Sequence, residues 1–135
     1  MSSITLKQAQ TVVDAATSKA DKVGVPMNIA IVDAGNNLTA FARQDGAWLG
    51  SIAIALDKAF TARAFDSATG DLYDDTQPGG ALYGIGTTNG GRVVVFPGGV
   101  PLVSGDEIVG AVGVSGGTPD QDQEVAEAGA AAFKG

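Results

Sequence analysis

The stretch Glu107-Ile-Val-Gly-Ala-Val-Gly-Val-Ser115 decides the fold of this 135-residue chain. Successive side chains of a β-strand point to opposite faces of a sheet. On one face the residues are apolar or glycine: Ile108, Gly110, Val112 and Val114. On the other face they are small or apolar: Val109, Ala111, Gly113 and Ser115. Because both faces are apolar or small from Ile108 to Ser115, the sequence predicts a central strand that is covered on both sides.

Four further runs have the length and residue types of strands: Asn28–Asp33, Leu38–Arg43, Arg92–Phe96 and Val100–Val103. The first two flank Ala34-Gly-Asn-Asn37, whose Gly and Asn residues tolerate the positive φ of a hairpin turn. Short connections of this kind join antiparallel neighbours. The five runs together predict an antiparallel sheet of about five strands.

Three segments have the apolar period of an α-helix: residues 5 to 23, 51 to 66 and 118 to 133. Thr5 and Gln8 form a capping box, Ser51 starts the second helix, and Thr118 with Pro119 starts the third. Residues 67 to 92 are rich in Gly, Asp, Thr and Ser, and they predict irregular structure with short helices around 71–74 and 81–83. The sequence therefore predicts an α/β chain of the α+β kind, with helices packed on its sheet.

The middle helix has two apolar stripes on nearly opposite sides. One stripe consists of Ile52, Ala55, Leu56, Ala59 and Phe60, and the other of Ile54, Lys58, Thr61 and Phe65. A surface helix ordinarily keeps one broad polar face. We therefore expect one side of this helix to meet the sheet and the other to meet a subunit or a ligand.

Composition and charge narrow the function. The chain fits one domain, residues 1–135, and its net charge of −7 with dispersed basic residues argues against nucleic acid as a partner. It has no Cys and no His, so thiolate chemistry, Cys or His metal ligation and a histidine general base are excluded. No apolar run is long enough for a membrane helix, and no signal peptide begins the sequence, which predicts a cytoplasmic protein.

Several segments together resemble the GlcG/HbpS family, over nearly the whole chain and in the family's order. They are 29–35 (IAIVDAG), 41–46, 51–62 (SIAIALDKAFTA), 96–101 (FPGGVP), 109–117 (VGAVGVSGG), 120–122 and 126–129. The family resembles the C-terminal domain of PduO-type proteins. The resemblance implies a profilin-like fold assembled into a homo-oligomer, commonly an octamer.

The resemblance also implies a ligand. Described members bind haem or act beside corrinoid chemistry, and others are encoded among genes for glycolate or aromatic catabolism. Some haem-binding relatives use His near the cofactor, and this chain has none. If haem binds here, the residues left as axial ligands are Tyr73, Tyr83, Met27 and Thr61.

Lys58 and Thr61 stand out because they lie on an apolar stripe, where an unpaired charge is costly. One interpretation is that Lys58 anchors a carboxylate or acts as a base, and the other is that it forms a salt bridge with an acid. Arg43 and Arg63 either clamp a carboxylate or pair with Asp45 or Asp66.

Asp33 ends a strand at a turn, so it either bonds its own backbone or serves as a general base beside Lys58. Trp48 and Tyr83 lie in loops, where they suit a stacked ligand, a subunit contact or a local apolar cluster. Acids at Asp120 and Asp122 complement the dipole of the last helix and disfavour a phosphate beside Gly116-Gly117. We predict no metal site.

Two functions of different class follow. The first is an oligomeric small-molecule-binding protein that holds haem or a similar planar anion. The second is a small enzyme, a hydrolase or isomerase for a carboxylated catabolic intermediate, in which Arg43 or Arg63 orients the substrate and Asp33 or Lys58 moves a proton. The sequence alone leaves open whether the chain is catalytic.

Overall fold

A computed structural model describes residues 2–135 and contains four α-helices and four strands within that range. In chain order these are α1 (Leu6–Val23), β1 (Asn28–Asp33), β2 (Leu38–Arg43), α2 (Gly50–Phe65), α3 (Tyr73–Thr76), β3 (Gly99–Ser104), β4 (Glu107–Ser115) and α4 (Pro119–Ala131). Short 3₁₀ turns lie at Thr69–Leu72, Ile85–Thr87 and Asn89–Gly91. None of the described helices is long and apolar enough to cross a bilayer.

The sheet is antiparallel with the strand order β2-β1-β4-β3, which confirms the α+β architecture and the central place of Glu107–Ser115. It has four strands rather than five, because Arg92–Phe96 does not join it. Side chains replace strand partners along that run. Val94 N donates to Thr61 Oγ1 at 3.0 Å, and Thr69 Oγ1 donates to the Phe96 carbonyl at 2.7 Å. The β-type composition of the run therefore reflects burial against α2 rather than pairing.

Helices cover both faces of the sheet, as the two apolar faces of β4 predict. Helices α1 and α4 pack on one face around Ile29, Ile31, Val112 and Val114. On the other face α2 packs on small residues: Ala30, Val32 and Ala111 from the strands, and Ala55, Ala59 and Ala62 from the helix. Alanine contacts let the helix axis approach the sheet closely.

Helix ends follow the predicted capping at two of the three long helices. Thr5 with Gln8 and Thr118 with Gln121 both form complete capping boxes. Helix α2 instead begins at Gly50, and Ser51 makes no cap hydrogen bond. The segment 81–83 is a turn and not a helix, because the left-handed Gly84 (φ 93°) delays the next helical turn to Ile85–Thr87.

Candidate functional site

Lys58 lies in the middle of α2 with its side chain entirely buried. Its Nζ donates to Asp122 Oδ2 and to the carbonyl of Val114, both at 2.9 Å. The ammonium group also lies 4.9 Å from the centre of the Phe96 ring, within cation–π range. The centre of the second stripe of α2, at Lys58 and Thr61, is thus covered by this chain's own segments, whereas Phe65 at its end is 39% exposed.

Asp122, in the first two turns of α4, completes the interaction. Its second carboxylate oxygen accepts a hydrogen bond from Gly117 N at 2.9 Å. Burial lowers the pKa of Lys58 and raises the pKa of Asp122, in each case against the opposing effect of the partner charge. Desolvation therefore disfavours both charges, and each is retained only because the other lies within hydrogen-bond distance.

The segment from Val93 to Gly99 crosses α2 and is pinned at several points. Thr61 and Thr69 hold it as described above, and Thr69 Oγ1 also accepts from Gly99 N at 2.9 Å. At its far end Gly98 N donates to Gln123 Oε1 of α4 at 3.0 Å. This segment, with its exposed Phe96, is a fixed wall rather than a free loop.

A cleft of about 450 Å³ opens between that wall and the first turn of α4. It is lined by Gly70, Tyr73, Asp74, Phe96, Pro97, Thr118, Pro119 and Asp120. We call it the Tyr73 cleft. Its walls are mostly ring carbons, its rim carries two carboxylates, and Tyr73 is 48% exposed. Its volume lies within the roughly 300–1,000 Å³ typical of small-ligand pockets.

A second cleft of about 620 Å³ lies between the end of α1 and β2. Arg43 lines it together with Asp21, Gln44 and Asp45. The guanidinium group of Arg43 is already engaged, since its Nε and Nη2 donate to the carbonyl of Ala47 at 3.1 and 2.8 Å. Arg43 therefore braces the loop before α2.

The other predicted site residues are dispersed. Arg63 donates to the Ala34 carbonyl at 2.8 Å and forms an ion pair with Asp66. Asp33 Oδ1 accepts from Gly35 N and Asn37 N, at 3.0 and 2.9 Å, which is the turn interaction. Trp48 and Tyr83 are 70% and 68% exposed and line neither of the two clefts.

The structure does not bring Asp33 and Lys58 together. Lys58 Nζ contacts the carbonyl of Val114, which pairs with Ile29 at the opposite end of β1 from Asp33. Ile29 and Asp33 are four steps apart along the strand, or about 13 Å at the usual rise per residue. The two residues proposed for proton transfer therefore share no site.

The Tyr73 cleft was not assembled from the sequence. The sequence predicts Tyr73 only as a candidate axial ligand, and it indicates no site role for Phe96, Pro97 or Pro119. The sequence does contain one signal for the ion pair: Lys58 lies on an apolar stripe, where a buried ammonium group needs an acidic partner. The sequence explains Asp122 by the dipole of the last helix, whereas the structure pairs it with Lys58.

The residues of this cleft fit haem with only one of the four candidate axial ligands. Of the four axial candidates, Met27 and Thr61 are fully buried and Tyr83 lies outside the cleft, whereas the phenol of Tyr73 borders an apolar slot. Tyrosine is a known axial ligand of haem iron. The ring side chains of the cleft offer apolar surface to a flat ligand, and Asp74 and Asp120 would repel carboxylates of that ligand.

Known proteins share both sequence and fold with this chain. An "Uncharacterized 15.0 kDa protein in dhaT-dhaS intergenic region" of Citrobacter freundii is 41% identical over 127 residues, 94% of this chain and 89% of that protein. The corrinoid adenosyltransferase PduO of the same organism is 38% identical over 131 residues, 97% of this chain but 39% of PduO. The crystal structure of a PduOC:heme complex matches with a TM-score of 0.94 at 36% identity, covering 98% of this chain and 96% of that one.

The family comparison agrees with these relatives. The model of the family described as "Haem degrading protein HbpS-like" matches residues 4–131, almost the whole chain. The chain therefore belongs to the HbpS-like family.

Proposed function

We propose that this chain binds haem, or a planar ligand of similar chemistry, in the Tyr73 cleft. The observation that carries the proposal is the combination of apolar ring walls with one accessible phenol in a cleft of ligand size. The haem complex of a relative that is 36% identical supports the choice of ligand. Bound haem supplies a redox-active iron with a coordination position for a further ligand.

The cleft residues have distinct roles in this proposal. Phe96, Pro97 and Pro119 would pack against the flat macrocycle, and the Tyr73 hydroxyl would supply an oxygen donor to the iron. Asp74 and Asp120 orient the ligand, because their carboxylates repel its propionates toward solvent. Of the six ligand-binding residues expected from the sequence, Lys58 and Thr61 enter as buried supports of the wall. The direct ligand contacts expected from the sequence for Arg43, Trp48, Arg63 and Tyr83 are not part of this proposal, because none of the four lines the cleft.

Replacing Tyr73 with phenylalanine tests the axial assignment. We expect Tyr73→Phe to weaken haemin binding by about tenfold or more, since even outer-shell partners of metal ligands contribute about 10–100-fold. The ferric spectrum should also lose the signature of phenolate ligation. Titration with haemin, followed in the Soret region, measures both effects.

Tyr83→Phe is the matched control, because Tyr83 is the other tyrosine of the chain and lies outside the cleft. Its haemin affinity and spectrum should equal those of the unmodified chain. Equal behaviour of the two variants, or a stronger effect of Tyr83→Phe, would remove Tyr73 from the site.

The acidic rim gives a prediction of opposite sign. Asp120→Asn removes one negative charge from the cleft and should raise haemin affinity by about two- to fivefold at low ionic strength, as expected for an exposed charge interaction of up to about 1 kcal/mol. Asp106→Asn, in the turn between β3 and β4, makes the same change in net charge outside the cleft. A gain of the same size in both variants would assign the effect to net charge rather than to the rim.

The proposal includes self-association. The resemblance implies a homo-oligomer, an octamer in its commonest form, and neighbouring apolar side chains at Trp48 and Leu49 are 70% and 73% exposed. Such a patch suits a contact with a second copy of the chain. Native mass spectrometry with and without haemin reports the subunit number and the haem stoichiometry in one spectrum. A monomer in both spectra would refute this part.

A further inference from the structure

We infer that the buried Lys58–Asp122 pair is a positioning element that fixes the two walls of the Tyr73 cleft relative to each other. The inference deepens the proposed function and rests on it for the identity of the ligand. It does not require either residue to touch that ligand, since both are buried and neither lines the cleft.

The first wall is held through Lys58. The ammonium group lies under the Phe96 ring and against Gly98, where a Cβ atom would come within 2.5 Å of Nζ. The Val114 carbonyl fixes the same group to the central strand. Phe96 is therefore seated on a cation that is itself anchored to β4.

The second wall is held through Asp122. One carboxylate oxygen bonds Lys58, and the other accepts from Gly117 N just before the Thr118 cap of α4. Thr118, Pro119 and Asp120 follow directly and form the opposite side of the cleft. The Asp122 carboxylate thus connects Gly117, just before the second wall, to the Lys58 ammonium under Phe96, through hydrogen bonds of 2.9 Å on each side. This link stands beside the hydrogen bond from Gly98 N to Gln123 Oε1 of α4, at 3.0 Å.

Stability alone does not account for this arrangement. Apolar residues of similar volume commonly replace a buried ion pair without loss of stability, because desolvation offsets the attraction. Hydrogen bonds are directional, whereas apolar contacts are not. The hydrogen bonds of the ion pair therefore fix Gly117 and Val114 in defined positions, which an apolar replacement would not do. Directed contacts that fix the second wall at Gly117 and the support of the first wall at β4 are what a ligand cleft of constant width needs.

The test separates stability from cleft geometry. In Lys58→Met/Asp122→Asn no charge is left buried, so the folded state should be largely recovered relative to Lys58→Met. The link between the walls is not recovered, and haemin affinity should stay about tenfold weaker than in the unmodified chain, in the range seen for outer-shell changes. Recovery of both stability and affinity in the double variant would overturn the inference.

Val12→Ala is the matched control, because Val12 is fully buried in the core on the other face of the sheet. It should lower stability and leave haemin affinity within about twofold, as expected for a site distant from the change. A tenfold loss of affinity in Val12→Ala would show that any destabilisation impairs binding, and this would also overturn the inference.

A measurement without ligand keeps the two proposals distinguishable. Amide hydrogen exchange at Gly98 and Gly117 should accelerate in the double variant more than in Val12→Ala, because these amides lie beside the pair. Unchanged exchange at both glycines contradicts the positioning role. If the unmodified chain refuses haemin while exchange accelerates as expected, the proposed ligand fails and the positioning role stands.

Discussion

Replacing Lys58 with methionine is expected to lower the free energy of unfolding by about 3–5 kcal/mol, the usual effect of breaking a buried ion pair from one side. The variant leaves the Asp122 carboxylate in a site with 4% side-chain exposure and without its cation. The Val114 carbonyl also loses a donor. Urea unfolding followed by circular dichroism measures the change.

Two variants check the cause of that loss. Lys134→Met removes a lysine from the exposed C-terminal end and should change stability by less than about 0.5 kcal/mol, as for surface substitutions. Lys58→Met/Asp122→Asn should regain most of the lost stability because the unpaired charge is gone. An unfolding free energy of Lys58→Met equal to that of the unmodified chain would mean that Asp122 is not charged beneath the wall.

Gly113→Ala is expected to destabilise the chain by about 3 kcal/mol, the upper part of the usual range for overpacking. A Cβ at this position of β4 would lie well inside van der Waals distance of the Ala55 carbonyl oxygen and the Ala59 amide nitrogen. Both atoms belong to the backbone of α2, so a side-chain rotation cannot relieve the clash. The helix must move away from the sheet, which opens the contacts among its alanines.

Gly50→Ala is the control for this substitution. Gly50 begins α2, and a Cβ there would meet no atom within 4 Å. Alanine favours the helix over glycine, so stability should stay the same or rise by up to about 1 kcal/mol. Thermal unfolding of both variants decides the point. A Gly113→Ala protein as stable as Gly50→Ala would show that α2 does not approach β4 as closely as described.

The sequence predicted the architecture because its periodicities are local and strong. Both faces of β4 are apolar or small from Ile108 to Ser115, and the bounds of β1 and β2 follow from the turn between them. The prediction of a fifth strand was wrong for a physical reason. Arg92–Phe96 has strand composition, but its backbone groups are bonded by Thr61 and Thr69, and no local pattern encodes such distant partners.

The candidate site was predictable only in part. The position of Lys58 on an apolar stripe signalled a special environment, but its partner lies 64 residues away in α4. Tyr73 was selected from residue type alone, and its neighbours Phe96 and Pro119 come from two other segments. An octameric assembly and a cytoplasmic location stay predictions.

The most direct test of haem binding at the Tyr73 cleft is a crystal structure of the haemin-soaked protein with the iron located by anomalous diffraction. We expect one iron peak per chain beside the Tyr73 hydroxyl, with the macrocycle packed between Phe96 and Pro119. An iron peak in the cleft between α1 and β2 would contradict the account. The absence of any iron peak in crystals soaked with saturating haemin would contradict it as well.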